Sequence, residues 1–83
     1  MAQFNLALMY YDGTGFNKNY EKAVKWFEKA AEQGDNKAQY YLGSIYYEGK
    51  GVSKNVTEAT KWFRRAAEQG FQPAKDILMR LSN

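Results

Sequence analysis

Cysteine and histidine are both absent from this 83-residue chain, and proline occurs once. Without cysteine there are no disulfides, thiol nucleophiles or thiolate zinc sites, and without histidine there is no imidazole ligand and not the commonest general base. Any metal or acid–base chemistry would fall to carboxylates alone. No apolar run reaches the length of a membrane span, and the opening "MAQFNLALMYYDG" has neither a basic leader nor a cleavage site. The chain as given therefore reads as soluble. A cytoplasmic setting is favoured, with a periplasmic or secreted one left open if a leader has been removed. The chain also begins inside a repeat, as an excised piece would.

What is present points to one small folded unit. Apolar residues make up 45 %, charged residues 25 % and aromatic residues 17 %, the last a high share for a globular chain. A chain of this size buries only about 60 to 65 % of the surface it would expose unfolded, so a deep catalytic cleft is not expected. The net charge of +3 is spread among interspersed lysines and glutamates, which allows weak anionic steering but does not by itself indicate nucleic acid.

The segment "AQFNLALMYYDGTGFNKNYEKAVKWFEKAAEQG" from Ala2 aligns without gaps on "AQYYLGSIYYEGKGVSKNVTEATKWFRRAAEQG" from Ala38, an offset of 36 residues. The chain thus divides into a first repeat (2–37), a second (38–73) and a partial third or cap (74–83). Each unit reads as two amphipathic helices. Leu6, Met9 and Tyr10, echoed by Leu42, Ile45 and Tyr46, line one face of the first helix. Ala23, Phe27, Ala30 and Ala31, echoed by Ala59, Phe63, Ala66 and Ala67, do so on the second. Helices this short are marginal alone in water, so each leans on its neighbours.

The stretch "EGKGVSKN", Glu48 to Asn55, has two glycines and a lysine in the manner of a phosphate-cradling loop. A phosphate loop requires a preceding strand and a lysine followed by Ser or Thr at its end, and neither is here. The first copy keeps both glycines but has Thr14 where Lys50 stands, so shape recurs and charge does not. Gly13 and Gly49 read as helix stops, with Gly34 and Gly70 closing the second helices. Asn19 and Asn55 read as N-caps, Glu58 as half of a capping box, and Pro73 as the opening of the last helix. Gly43 and its counterpart Ala7 keep helices in close approach. Glu32 and Glu68, at unfavourable helix C-terminal ends, are expected to have a loop amide or a basic side chain as partner.

Alanine, leucine, a small residue and tyrosine, then "GxG", then "KA" or "EA", "W" and "AAEQG", form a pattern that resembles the Sel1-like repeat family, related to the tetratricopeptide repeats. The resemblance covers nearly the whole chain. It implies an all-α, right-handed α-solenoid of antiparallel helix pairs with a C-terminal capping helix. It also implies an adaptor or scaffold for protein complexes, in bacteria often tied to signalling or host interaction. Phe16 replaces the family's valine after the second glycine, whereas Val52 keeps it, and Asn19 and Asn55 stand where an acidic residue is common. The secreted branch with a disulfide in every repeat has cysteines that this chain lacks.

Trp26 and Trp62 recur at one register and read as core, as do Tyr10 and Tyr46. In the last helix Ile77, Leu78 and Leu81 are expected inward and Lys75, Asp76 and Arg80 wet, with Met79 at the Gly43 register and Ser82 where a tyrosine is expected. Removing inward positions leaves Phe4, Leu8, Tyr11 and Asp12 as a stripe on the first helix. Tyr40, Ser44, Tyr47 and Glu48 follow on the next, then Asp76 and Arg80. This is an aromatic groove with an acidic rim, suited to an extended peptide or a partner helix. For Phe4 and Leu8 the alternative is a surface that an upstream repeat would cover.

The function expected is thus a non-enzymatic protein-interaction module with no catalytic residues, no metal and no cofactor. An alternative is a structural unit that self-associates end to end through the apolar first helix, as a homo-oligomer. Enzymatic action on cell-wall or nucleotide substrates would rest on loop glycines and scattered glutamates alone. Lys22, Lys25, Lys29, Lys61, Arg64 and Arg65, mixed with Glu21, Glu28 and Glu32, read as a solvated face of helical charge pairs. "NVT" at Asn55 is a nominal glycosylation acceptor whose asparagine is already accounted for by capping.

Overall fold

The computed structural model describes residues 2–13 and 18–81, which form α1 (Ala2–Asp12), α2 (Tyr20–Glu32), α3 (Asn36–Glu48), α4 (Val56–Glu68) and α5 (Gln72–Leu81). Thr14, Gly15, Phe16 and Ser82, which the sequence reading singles out, lie outside the described residues. Among the described residues there is no strand. Consecutive helices pack against each other in chain order, building an all-α repeat solenoid measuring 37 × 25 × 17 Å.

Alanine at the contact positions lets the helices approach, and larger side chains fill the space between them. Ala23, Ala30 and Ala31 on α2 and Ala59 and Ala66 on α4 are buried, around Phe27, Leu42, Ile45 and Phe63. Gly43 bears out the close approach read from its register: a Cβ there would lie 2.8 Å from two ring carbons of Phe63 and 3.1 Å from the Ala59 carbonyl. Its counterpart Ala7 is fully buried.

The two tryptophans differ, which corrects the reading of both as core. Trp62 is 6 % exposed and joins a cluster built from α1, α2 and α3. Trp26 is only half-buried at the edge of that cluster, with Lys29 Nζ 4.8 Å from its ring centroid. The reason is positional. Trp62 inserts among α3 and the α1 and α2 of the repeat before its own, whereas Trp26 packs against the outer edge of that cluster. Tyr10 and Tyr46 are also half-buried against the core.

The caps follow the sequence. Asn19 Oδ1 accepts from the Lys22 N–H at 3.1 Å and Asn55 Oδ1 from the Glu58 N–H at 3.0 Å. The capping box does not close, however. The Asn19 and Asn55 N–H groups instead donate to the Tyr10 and Tyr46 carbonyls, each at 2.9 Å, tying the residue that opens α2 and the one that opens α4 back onto the preceding helix. Asp35 caps α3 by accepting from the Lys37 and Ala38 N–H groups. Gly49 ends α3 in the left-handed region at φ 73°. Pro73 is the second residue of α5, one place later than read from the sequence, and still within the first turn where its missing N–H has no helical partner.

Glu32 and Glu68 correct another expectation: both are exposed and have no partner among the described residues. The neighbouring glutamine holds the structure instead. Gln69 Nε2 donates to Gln39 Oε1, and Gln39 Nε2 donates to the Ala31 carbonyl at the end of α2. On α5, Ala74 is fully buried, Ile77, Leu78 and Leu81 are half-buried, and Lys75, Asp76 and Arg80 are exposed as expected. Met79 is 68 % exposed at the register that Gly43 and Ala7 bury.

Candidate functional site

Because α1, α3 and α5 occupy equivalent places in successive repeats, their stripe positions can be compared directly. Phe4 and Tyr11 turn into the stack. Phe4 lies 5.9 Å from Phe27 and 5.7 Å from Tyr41 between ring centroids, and Tyr11 lies 6.1 and 6.0 Å from the same rings. Phe27 and Tyr41 are themselves stacked, 5.4 Å apart with planes 6° from parallel. Phe4 thus rests on downstream α2 and α3 and is half-buried there. Leu8 and Asp12, with Asn5 and Met9, line a groove of 320 Å³ on α1.

Three of the predicted residues meet between α3 and α5. Tyr40, Asp76 and Arg80, with Pro73 and Ile77, line a groove of 180 Å³. One side of the Tyr40 ring is held by Phe63 and Phe71, each 5.6 Å away, and Asp76 accepts from the Gln72 side chain at 2.9 Å. Tyr47 is 36 % exposed, in contrast to half-buried Tyr11 at the same register. The residues that cover Tyr11 are Tyr20 and Tyr41. Their equivalents beside Tyr47 are the smaller Val56 and Ile77, which leaves the ring accessible with Lys54 Nζ 5.6 Å from its centroid. Ser44 is half-buried and Glu48 exposed.

The loop after α3 is tied up in ending the helix. The Gly49 and Lys50 N–H groups both donate to the Ile45 carbonyl, at 2.8 and 3.1 Å, which directs them away from any phosphate. Lys50 Nζ pairs with Glu48 at 3.1 Å, donates to the Tyr11 hydroxyl at 3.4 Å, and stands 5.5 and 5.7 Å from the Tyr11 and Tyr20 rings. These bonds, to Glu48 first and then Tyr11, raise the Lys50 pKa. The rim is therefore mixed in sign. Asp12, Glu48 and Asp76 supply the acid expected, and Lys50 and Arg80 add base.

Sequence reasoning missed Tyr41, Tyr20 and Gln39. Tyr41 sits beside Tyr40 in a run of two tyrosines, and periodicity alone assigned neither to a cross-repeat stack. The basic side chains of α2 and α4 also depart from the charge-pair expectation. Lys29 lies over Trp26 and Arg65 over Trp62, each 4.8 Å from the ring centroid, and Lys22 lies over Tyr10. Among the described residues the ion pair within these helices is Lys61 with Glu58, at 3.9 Å. A Trp followed three residues later by Lys or Arg was the available signal.

Among the described residues no group of acidic side chains is arranged to hold a metal ion, and no helix is long and apolar enough to cross a membrane. The fold defines a class, helix pairs stacked by repetition with an aromatic face, and comparison with known proteins gives the family. The Sel1 repeat model matches residues 1–35 and 36–71, and the chain belongs to the Sel1 repeat family. A Sel1 repeat protein from Oxalobacter formigenes has a crystal structure that superposes with a TM-score of 0.95 at 48 % identity, over 96 % of this chain and 33 % of that one. A protective antigen of uropathogenic Escherichia coli strains, displaying an SLR fold, superposes with a TM-score of 0.83 at 48 % identity, over 83 % of this chain and 15 % of that one. A sel1-like repeat-containing protein of Acanthamoeba polyphaga mimivirus is 51 % identical over 35 residues, 42 % of this chain and 6 % of the relative. The chain thus spans a third or less of these relatives. Sel1 repeat proteins are generally protein-interaction modules and typically non-enzymatic.

Proposed function

We infer that this chain binds a protein partner, as an extended peptide or a helix, along the face of α1, α3 and α5. The reading is supported chiefly by the groove between α3 and α5, where Tyr40 is held against Phe63 and Phe71 beside the exposed Asp76 and Arg80. A tyrosine already fixed by packing loses little rotamer freedom on binding, and tyrosine and arginine are the residue types that concentrate interface energy. Tyr47, Ser44 and Glu48 extend the surface along α3, and Leu8 and Asp12 continue it on α1, with Phe4 and Tyr11 supporting it from beneath.

The test begins with capture of partners by the intact chain and proceeds to affinity measurement with the identified partner. Tyr47→Ala with Arg80→Ala removes exposed groups only and is expected to weaken binding by about tenfold or more while the helical signal and melting temperature hold. Tyr40→Ala is a poorer probe, because it also removes the contacts with Phe63 and Phe71. Unchanged affinity in the double variant would reject this face.

A further inference from the structure

One cation beside the binding face has a donor to spare. Lys50 belongs to the loop after α3, and its ammonium stands among side chains of both repeats. It pairs with Glu48 Oε1 at 3.1 Å and donates to the Tyr11 hydroxyl at 3.4 Å, with the Tyr11 and Tyr20 ring centroids 5.5 and 5.7 Å away. An ammonium carries three N–H donors, so one is left over, and the Lys50 side chain is 38 % exposed. Glu48, with its side chain 50 % exposed, takes no other partner than Lys50 among the described residues. A carboxylate accepts several hydrogen bonds, so acceptor capacity is left over as well.

This donor and this acceptor are held rather than free to swing. The Lys50 N–H donates to the Ile45 carbonyl at 3.1 Å. Gly51, next in the chain, lies so close to α2 that a Cβ there would be 2.6 Å from Tyr20 Cβ and 3.0 Å from the Glu21 nitrogen. The bond to Glu48, and then that to Tyr11, keep the Lys50 pKa above the ordinary lysine value, so every N–H of the ammonium is present at neutral pH. Lysine and glutamate also balance each other in charge. The pair therefore has little net attraction for a further carboxylate or ammonium, and suits neutral polar groups.

We propose that Lys50 and Glu48 grip the main chain of an extended partner segment, the ammonium donating to a peptide carbonyl and the carboxylate accepting from a peptide N–H. This rests on the reading of the face as a protein-binding surface, and it decides for an extended peptide over a helix. An extended residue turns its N–H and its carbonyl to one side, as paired strands use them. A helix has spent these groups on its own turns except at its ends. Tyr11 is a positioning residue that fixes the ammonium from below, and Tyr40 and Tyr47 on α3 receive side chains of the same segment.

Two short capped peptides without charged residues serve as probes, one of alternating threonine and valine that stays extended and one alanine-rich and helical. Each is titrated into the intact isotope-labelled chain. The extended peptide is expected to shift the Lys50 ammonium and Glu48 carboxyl signals, and the helical peptide to leave them in place. Replacing the amides of the extended peptide by esters removes its N–H donors and keeps every side chain, and is expected to weaken binding about tenfold. Lys50→Met is expected to do the same, with Lys50→Arg restoring binding. Equal shifts from the helical peptide, or indifference to the esters or to Lys50→Met, would overturn the proposal. Shifts at Tyr40 and Tyr47 with Lys50 and Glu48 silent would overturn it and keep the face, whereas no shift anywhere on α1, α3 and α5 would overturn both.

Discussion

Gln69 donates its side-chain amide to Gln39 Oε1 at 2.9 Å, across 30 residues of sequence, and Gln39 passes a hydrogen bond on to the Ala31 carbonyl at 3.0 Å. The C-terminal ends of α2 and α4 are thereby joined through one buried side chain on α3. Gln39 is 4 % exposed, so its polar atoms depend on these partners rather than on water. Gln69→Ala leaves the buried Gln39 Oε1 without its donor and is expected to destabilise by about 1 to 3 kcal/mol, whereas Gln39→Leu, after which the Ala31 carbonyl still accepts from the Gly34 N–H, is expected to cost less, about 0.5 to 1.5 kcal/mol. Urea unfolding checks the order, and equal costs would show that the chain of bonds carries no weight.

Trp62 and Trp26 make a matched pair of probes. Trp62→Ala is expected to cost about 3 to 5 kcal/mol, and Trp26→Ala on the order of 1 to 2 kcal/mol, in proportion to the smaller area it buries. The buried Trp62 Nε1 has no acceptor among the described residues. Trp62→Phe removes that donor and is therefore expected to cost clearly less than Trp62→Ala. Thermal midpoints of the three variants decide, since about 1 kcal/mol moves the midpoint of a domain this size by roughly 4 to 8 °C.

Gly51 separates backbone conformation from close contact. Gly34 and Gly51 both have positive φ, 97° and 74°, so alanine is strained at either by about 1 to 2 kcal/mol. A Cβ at Gly34 meets nothing within 4 Å, while at Gly51 it meets Tyr20 Cβ at 2.6 Å and the Tyr20 carbonyl carbon at 2.9 Å. Gly51→Ala is expected to cost a further ~1 to 3 kcal/mol, because backbone of α2 must shift. Chemical denaturation of the two variants reads the difference directly.

Tyr46 gives the fold a pH dependence. Burial first, and then the Glu28 carboxylate that its hydroxyl meets, raise its pKa above the ordinary 10.0, with Glu58 adding to the effect. The folded state holds this proton more tightly than the unfolded chain does. The stabilisation is therefore complete below about pH 10 and is lost as pH rises through the raised folded value. The stability difference between the parent chain and Tyr46→Phe is expected to shrink from pH 8 to pH 11. A difference that stays constant would remove the coupling.

Much of this was legible in the letters alone. Helices α1 to α5 follow from apolar spacing, Asn19 and Asn55 from capping chemistry, and Gly43 from the need for a small residue where Phe63 approaches. These features are local or recur by repetition, so the 36-residue offset reports them twice. The stripe of the candidate site was legible as a set of registers. Which members would face solvent was not, because Tyr11 and Tyr47 share a register and differ through what surrounds them, Tyr20, Tyr41 and Lys50 about the first and the smaller Val56 and Ile77 about the second.

The sequence by itself determined the helix pairs, their ends and their membership of a repeat family, since capping, periodicity and self-similarity act within one or two turns or copy by copy. Tertiary structure decided what depends on neighbours distant in the chain. It buried Trp62 and left Trp26 half in water, and it joined Gln39 to Gln69. Each of these is set by whether another repeat packs at that place, and a residue's own identity carries no record of that.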